Sequence, residues 1–203
     1  MASPSTSRIA SPADPGRAAS PDSDAEVRSS AARPAQADLF ALLGVAPRYD
    51  LDLKELEAAF FAKSKELHPD RFASAPAAER VAALTKSRAL NDAYQTLKKP
   101  VPRAEYMLAA KGMLITDNER LDPAFLMEIL DLREELAEAR AAGNMKVVEA
   151  NQGSMQTRRK TTLSELPALF AANDLSAIKD RLIALRYLDR YLEECDAALD
   201  SDD

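Results

Sequence analysis

One short stretch, Lys65–Phe72 (KELHPDRF), holds the single histidine of a 203-residue chain. An imidazole can act as a general base, a metal ligand or a hydrogen-bonding contact, and each role needs different company. A base serving a nucleophile needs a Ser or Cys beside it, and none flanks His68. A metal site needs several ligands, and the only cysteine, Cys195, is far away in sequence. The lone cysteine also rules out an internal disulfide framework, and a cluster would need several thiolates. No Gly-rich phosphate loop is present among only 5 glycines. The remaining role is contact. Pro69 stiffens the backbone, while His68 and Asp70 offer a hydrogen-bonding ring and a carboxylate. A non-enzymatic binding protein with no cofactor and no metal is therefore expected.

The elements that must hold this stretch are helical. Ala, Leu, Glu, Lys and Arg dominate, β-branched residues are sparse, and apolar residues make up 46%. A helix opens at Asp38 and closes at Gly44. Asp52 and Glu55 form a capping-box pattern at the start of a second helix running to Leu67. Its core side carries Leu56, Ala59, Phe60 and Leu67, with Lys63 beside that stripe, and Lys54, Ala58, Phe61 and Lys65 fall opposite. Pro69 ends it, because the residue before proline is pushed out of the helical region. A third helix follows over 77–97 with apolar positions Val81, Leu84, Ala89, Leu90 and Tyr94, and Pro100 and Pro102 break it before a short helix, RAEYMLAAK. A short loop between two long helices predicts an antiparallel hairpin with the HPD turn exposed at its tip.

Beyond Gly112 the stretch GMLITDNERLD reads as a linker over 112–122, and Pro123 as a first helical residue. The helix from Pro123 to Gly143 repeats Phe125, Ile129, Leu132 and Leu136 as a core stripe. Met127, Leu130, Glu134 and Glu138 point the other way, flanked by Leu126 and Asp131. Exposed Leu and Met beside carboxylates suggest protein recognition. A less regular helix over 145–170, with Gly153 and Pro167 as weak points, and a last helix to about Leu199 complete a three-helix bundle. In the last helix Ile178, Leu182, Leu185, Leu188 and Leu192 face the core, Cys195 lies near that band, and Ile183 and Tyr187 project roughly opposite with Arg186 to one side.

Residues 1–37, rich in Ser, Ala and Pro, read as a disordered tail. Asp14, Asp22, Asp24 and Glu26 argue against a transit peptide, so a cytoplasmic protein is expected in preference to one of the mitochondrial matrix. A net charge of −6 disfavours nucleic acid, and no apolar run is long enough for a bilayer.

The helix ending in HPD, followed by LNDAYQTLKKPVPRAEYML, resembles a J-domain spanning 38–111. With RYDLD, RFAS, FLMEILDLREEL and LRYLDRYLEE, the stretch 38–199 is similar to the HscB family. The resemblance implies an all-α fold: a J-domain hairpin, a linker, and a client-binding bundle over 123–200. It implies a co-chaperone of iron–sulfur cluster assembly that binds the scaffold protein IscU and stimulates HscA, a DnaK-type ATPase chaperone. His68, Pro69 and Asp70 would contact the ATPase, with Lys54, Lys65 and Arg71 on its acidic surface. Leu126, Met127, Leu130, Asp131, Glu134 and Glu138, with Arg186 and Tyr187, would hold the client; Asp131 stands where a Glu is usual, which shortens the reach. Eukaryotic relatives carry an N-terminal CxxC zinc module, so a bacterial-type protein is expected. A J-protein for an unrelated client and a helical adaptor stay open, and the Leu/Met face could also pair with itself.

Overall fold

The computed structural model describes residues 38–116, 119 and 122–200; the tail expected over 1–37 lies outside the described residues. Among the described residues there are seven α-helices, one 3-10 turn and no strand. The order is α1 (Leu39–Leu43), α2 (Leu53–Glu66), the 3-10 turn (Pro69–Phe72), α3 (Ala77–Lys98), α4 (Pro100–Ala110), α5 (Pro123–Ala141), α6 (Met145–Ala172) and α7 (Leu175–Asp200).

The first helices are set by their caps. Asp38 Oδ1 accepts from the Phe40 and Ala41 amides at 3.0 and 3.2 Å, which satisfies two otherwise orphaned donors of α1. Gly44 closes α1 at φ +75°, a backbone angle that suits glycine, and the Lys63 stem lies against it. Asp52 caps α2 through the Lys54 amide at 2.8 Å. Glu55 does not complete a capping box; its carboxylate lies 3.3 Å from Arg48 instead. α2 and α3 pack together with α1 around Phe40, Leu43, Leu56, Leu90, Ala93, Tyr94 and Leu97.

Three expectations from the sequence need correction. Pro100 and Pro102 do not precede the fourth helix but begin it, because the amides of a first turn have no intrahelical partner and a proline there loses nothing. Gly153 and Pro167 do not interrupt α6, which runs unbroken through both. Ile183 is buried and not outward, because the stretch after α4 covers α7 on its second side: Ile115, Thr116 and Glu119 line a small hollow with Ile183 and Tyr187. Val81 and Leu84, apolar positions of α3, are exposed.

α5, α6 and α7 form the bundle, with α6 and α7 the most closely packed pair. Its distal core gathers Leu136, Ala139, Val148, Met155, Leu188, Tyr191, Cys195 and Ala198. Burial pushes the Tyr191 hydroxyl up to about 12 and also raises the Cys195 thiol. Tyr191 donates to the Leu132 carbonyl at 3.2 Å, so its burial is hydrogen-bonded.

A third core joins the hairpin to the bundle. Tyr49, Ala104 and Leu108 meet Leu166, Ile178, Leu182 and Leu185 there, and Met113 and Ile115 pack against them. The Tyr49 ring stacks on Phe170 of α6 with centroids 4.5 Å apart. On its other side lies the Arg103 guanidinium, 5.0 Å from the ring centre. Arg103 is 7% exposed, and its Nη1 donates to the Leu97 carbonyl at 3.1 Å. Burial pulls the Arg103 pKa down and pushes the Tyr49 pKa up.

An ion pair pins the segment leading to α5. Lys179 Nζ lies 2.7 Å from Glu119 Oε2, and Glu119 Oε1 accepts from the Thr116 amide at 3.0 Å. The Lys179 bond, with the Thr116 amide second, holds the Glu119 carboxyl down at about 2. A carboxyl lowered by folding stabilises the fold above its unfolded value, and that contribution is lost as pH falls through the folded value. The tether should therefore be intact above about pH 4.5 and release on acidification toward pH 2. Exchange of the Thr116 amide reads this directly. Lys179→Met should move the release midpoint up toward the ordinary carboxylate range; an unmoved midpoint would remove Lys179 as its cause.

Candidate functional site

The expected site residues fall mainly on two exposed surfaces. The first is the turn after α2. Leu67 ends the helix with its amide on the Lys63 carbonyl, and His68 leaves helical space at φ −60°, ψ 132°. His68 is the N-cap of the 3-10 turn: its Nδ1 accepts from the Asp70 amide at 3.4 Å. An accepting Nδ1 places the ring proton on Nε2, on the edge of the ring away from the turn. Asp70 Oδ2 also lies 3.4 Å from Nδ1. The side chains of His68 and Asp70 are 57% and 90% exposed, and so both present polar atoms to a partner. Arg71 is exposed one residue on, and Lys54 and Lys65 are exposed along α2.

The second surface is the outer side of α5. Asp122 caps this helix through the Ala124 and Phe125 amides at 2.9 and 3.0 Å, and Pro123 supplies its first turn. Packing against the bundle buries Ile129 and Leu136, while Leu126, Met127 and Leu130 are among the most exposed large apolar residues described. Asp131, Glu134 and Glu138 are exposed beside them. Three apolar side chains within two turns, rimmed by carboxylates, suit a partner with an apolar ridge and basic flanks.

Of the two α7 residues expected here, Tyr187 meets α5 through Phe125, and Arg186 lines one small hollow beside Tyr187. The edge of Tyr187 meets the Phe125 ring at 6.3 Å and 86°, and Arg158 covers the same ring at 5.1 Å. Phe125 thus bridges α5, α6 and α7. Arg186 instead directs Nε and Nη2 to Glu105 Oε1 of α4, at 2.9 and 2.8 Å. Glu105 carries no motif that would single it out, and periodicity marks Phe125 only as a position of the α5 core stripe; long-range packing gives both their partners.

Around these surfaces the bundle is laced by ion pairs, Arg158–Glu128, Arg159–Asp189, Arg181–Glu165 and Arg133–Glu194. A groove of about 760 Å³ between α5, α6 and α7 is lined by the Arg181–Glu165 pair and Arg158, with Phe125 and Ile183. Among the described residues no cluster of three or more His, Cys, Asp or Glu could hold a metal ion, and no helix is long and apolar enough to cross a membrane.

Comparison with known proteins matches both halves. Residues 38–106 match the family described as DnaJ domain, and residues 121–196 the HSCB C-terminal oligomerisation domain. The chain is similar to the co-chaperone protein HscB homolog of Neisseria meningitidis serogroup C, at 33% identity over 162 residues, 79% of this chain and 98% of that one. It is 34% identical to the homolog from Azoarcus sp. strain BH72 over 169 residues, 82% of this chain and 96% of the relative. Among solved structures, chaperone HscB from Vibrio cholerae superposes with TM-score 0.69 at 33% identity, covering 80% of this chain and 98% of that one. The human co-chaperone protein HscB gives TM-score 0.71 at 26% identity, covering 92% and 93%.

Proposed function

The chain belongs to the HscB family of J-domain co-chaperones, and from that we propose that it binds the iron–sulfur scaffold IscU, delivers it to the DnaK-type chaperone HscA and stimulates HscA ATP hydrolysis. The observation that carries this reading is the pairing of two exposed surfaces of unlike chemistry in one compact unit: the HPD turn beside lysines, and the Leu/Met face of α5 beside acids. The domains are taken as 38–111 and 123–200. His68, Pro69, Asp70, Lys54, Lys65 and Arg71 dock on the ATPase. Leu126, Met127, Leu130, Asp131, Glu134, Glu138 and Tyr187 hold the scaffold, with Arg186 able to join them by leaving Glu105. The work is coupling, with no bond made or broken by this chain. Carrying both contacts on one body raises the effective concentration of client at the chaperone. Bacterial relatives support a place in the cytoplasm.

Single-turnover ATP hydrolysis by HscA tests this, with the protein and IscU added separately and together. The protein alone should accelerate hydrolysis, and IscU should amplify it. A variant with Leu126, Met127 and Tyr187 all changed to Ala should keep the first effect and lose the second, with IscU affinity down about 100-fold. Acceleration without any effect of IscU would assign an unrelated client. No acceleration at all would leave a helical adaptor.

A further inference from the structure

α2 carries two adjacent phenylalanines with different fates. The Phe60 ring turns inward and stacks on Tyr94, with centroids 4.3 Å apart and planes at 14°. The Phe61 ring turns outward and is 62% exposed; among the described residues its ring contact is with Phe60, at 5.6 Å. Phe60 therefore does the packing, and Phe61 adds little to the fold. Nor does Phe61 serve the helix, since Ala, Lys or Gln would propagate it better. A lone exposed apolar residue is ordinary on a protein surface. The neighbours of this one are not scattered.

At about 100° per residue, positions 54, 58, 61 and 65 fall within an arc of roughly 60°. They are Lys54, Ala58, Phe61 and Lys65, all exposed. The stripe holds two ammonium groups, one aromatic ring and no carboxylate; Glu55, Glu57 and Glu66 lie to its sides. Phe61 lies seven positions before His68, about 10 Å along the helix axis, so ring and turn fit under one partner surface. A second copy of the chain would meet this stripe with lysine opposite lysine. The charge fits an apolar cleft rimmed by carboxylates.

We propose that Phe61 is the apolar anchor with which this chain docks on its ATPase chaperone, its ring filling a cleft whose acidic rim takes Lys54 and Lys65. This deepens the docking reading above and rests on it. The lysines steer the encounter, and the ring holds the complex once the water between the surfaces has left.

Stimulation of the chaperone ATPase is titrated with wild type, Phe61→Ala, Phe61→Leu, Phe61→Lys and His68→Gln. Phe61→Ala should raise the half-maximal concentration about 10- to 30-fold at an unchanged maximum rate. Phe61→Leu should recover most of that loss. Phe61→Lys should not, because added charge does not replace an apolar contact. The Phe61→Ala deficit should be similar at low and high salt, whereas that of Lys54→Ala should shrink as salt rises. Circular dichroism and client affinity should match wild type throughout. A Phe61→Ala titration within twofold of wild type, alongside an inactive His68→Gln, would overturn the anchor and leave the docking reading standing. Full activity of His68→Gln would overturn both. Loss of a wild-type dimer in sedimentation of Phe61→Ala would make a second copy the occupant and also overturn the proposal.

Discussion

His68→Gln should lose essentially all stimulation of the chaperone ATPase, at least about 100-fold in kcat/KM for stimulation, while melting and client affinity stay at wild-type values. The reason lies in what the ring does twice. Its Nδ1 caps the Asp70 amide, which sets the start of the 3-10 turn, and its Nε2–H is then free to donate outward. Glutamine has the polar atoms but not the short, rigid ring. Its longer chain can cap or donate, not both, and must be ordered at an entropic cost when the partner docks. A 100-fold loss corresponds to about 2.7 kcal/mol, within the range of a central interface residue. The fold is insulated because His68 is exposed and lies outside all three cores. A variant that kept a third or more of wild-type stimulation would show that the turn is not the essential contact.

Tyr49→Ala should be the most damaging single change outside the helix cores, lowering stability by about 3–5 kcal/mol, or roughly 10 °C in Tm. Truncation removes a buried ring, the stack on Phe170 and the aromatic face beneath Arg103. It also strands the guanidinium, whose Nε already lacks a hydrogen-bond partner among the described residues, in a cavity where burial opposes its charge. Tyr49→Phe keeps the ring and should lose about 1 kcal/mol or less. The signature should go beyond a lower Tm. With the junction core weakened, hairpin and bundle should melt in two steps where wild type melts in one. A single transition with unchanged Tm in Tyr49→Ala would show that the hairpin and bundle are held together elsewhere, through Arg186–Glu105 and Lys179–Glu119.

The parts legible in the sequence are those governed by short-range rules. Pro69 stops α2 whatever surrounds it, so the exposed turn follows from local backbone preference. The faces of α5 follow from helical periodicity, because Asp122 and Pro123 fix where the helix begins. The junction was not legible. Tyr49, Arg103 and Phe170 come from three distant segments, and no spacing links them. The same is true of Arg186, which periodicity sets beside Tyr187 while Glu105 draws it to α4. Ile183 shows a related limit: periodicity says which residues share a face, not how many neighbours cover that face. The prolines at 100 and 102 were misread because proline both stops one helix and suits the start of the next.

Cys195 gives the chain a clock of its own. Its sulfur is the only thiol of the chain, fully buried beside Tyr191, and burial keeps it protonated. Only the thiolate reacts with an alkylating reagent, and only a solvated sulfur can become one. Each modified molecule therefore records one opening of the α5–α6–α7 core. If opening costs about 5 kcal/mol, the reaction is slowed some thousands-fold relative to a free cysteine. Any partner that binds only the folded bundle would deepen that protection by mass action. Counting modified sulfurs over time would thus turn its occupancy into a chemical rate, without any label added to the protein.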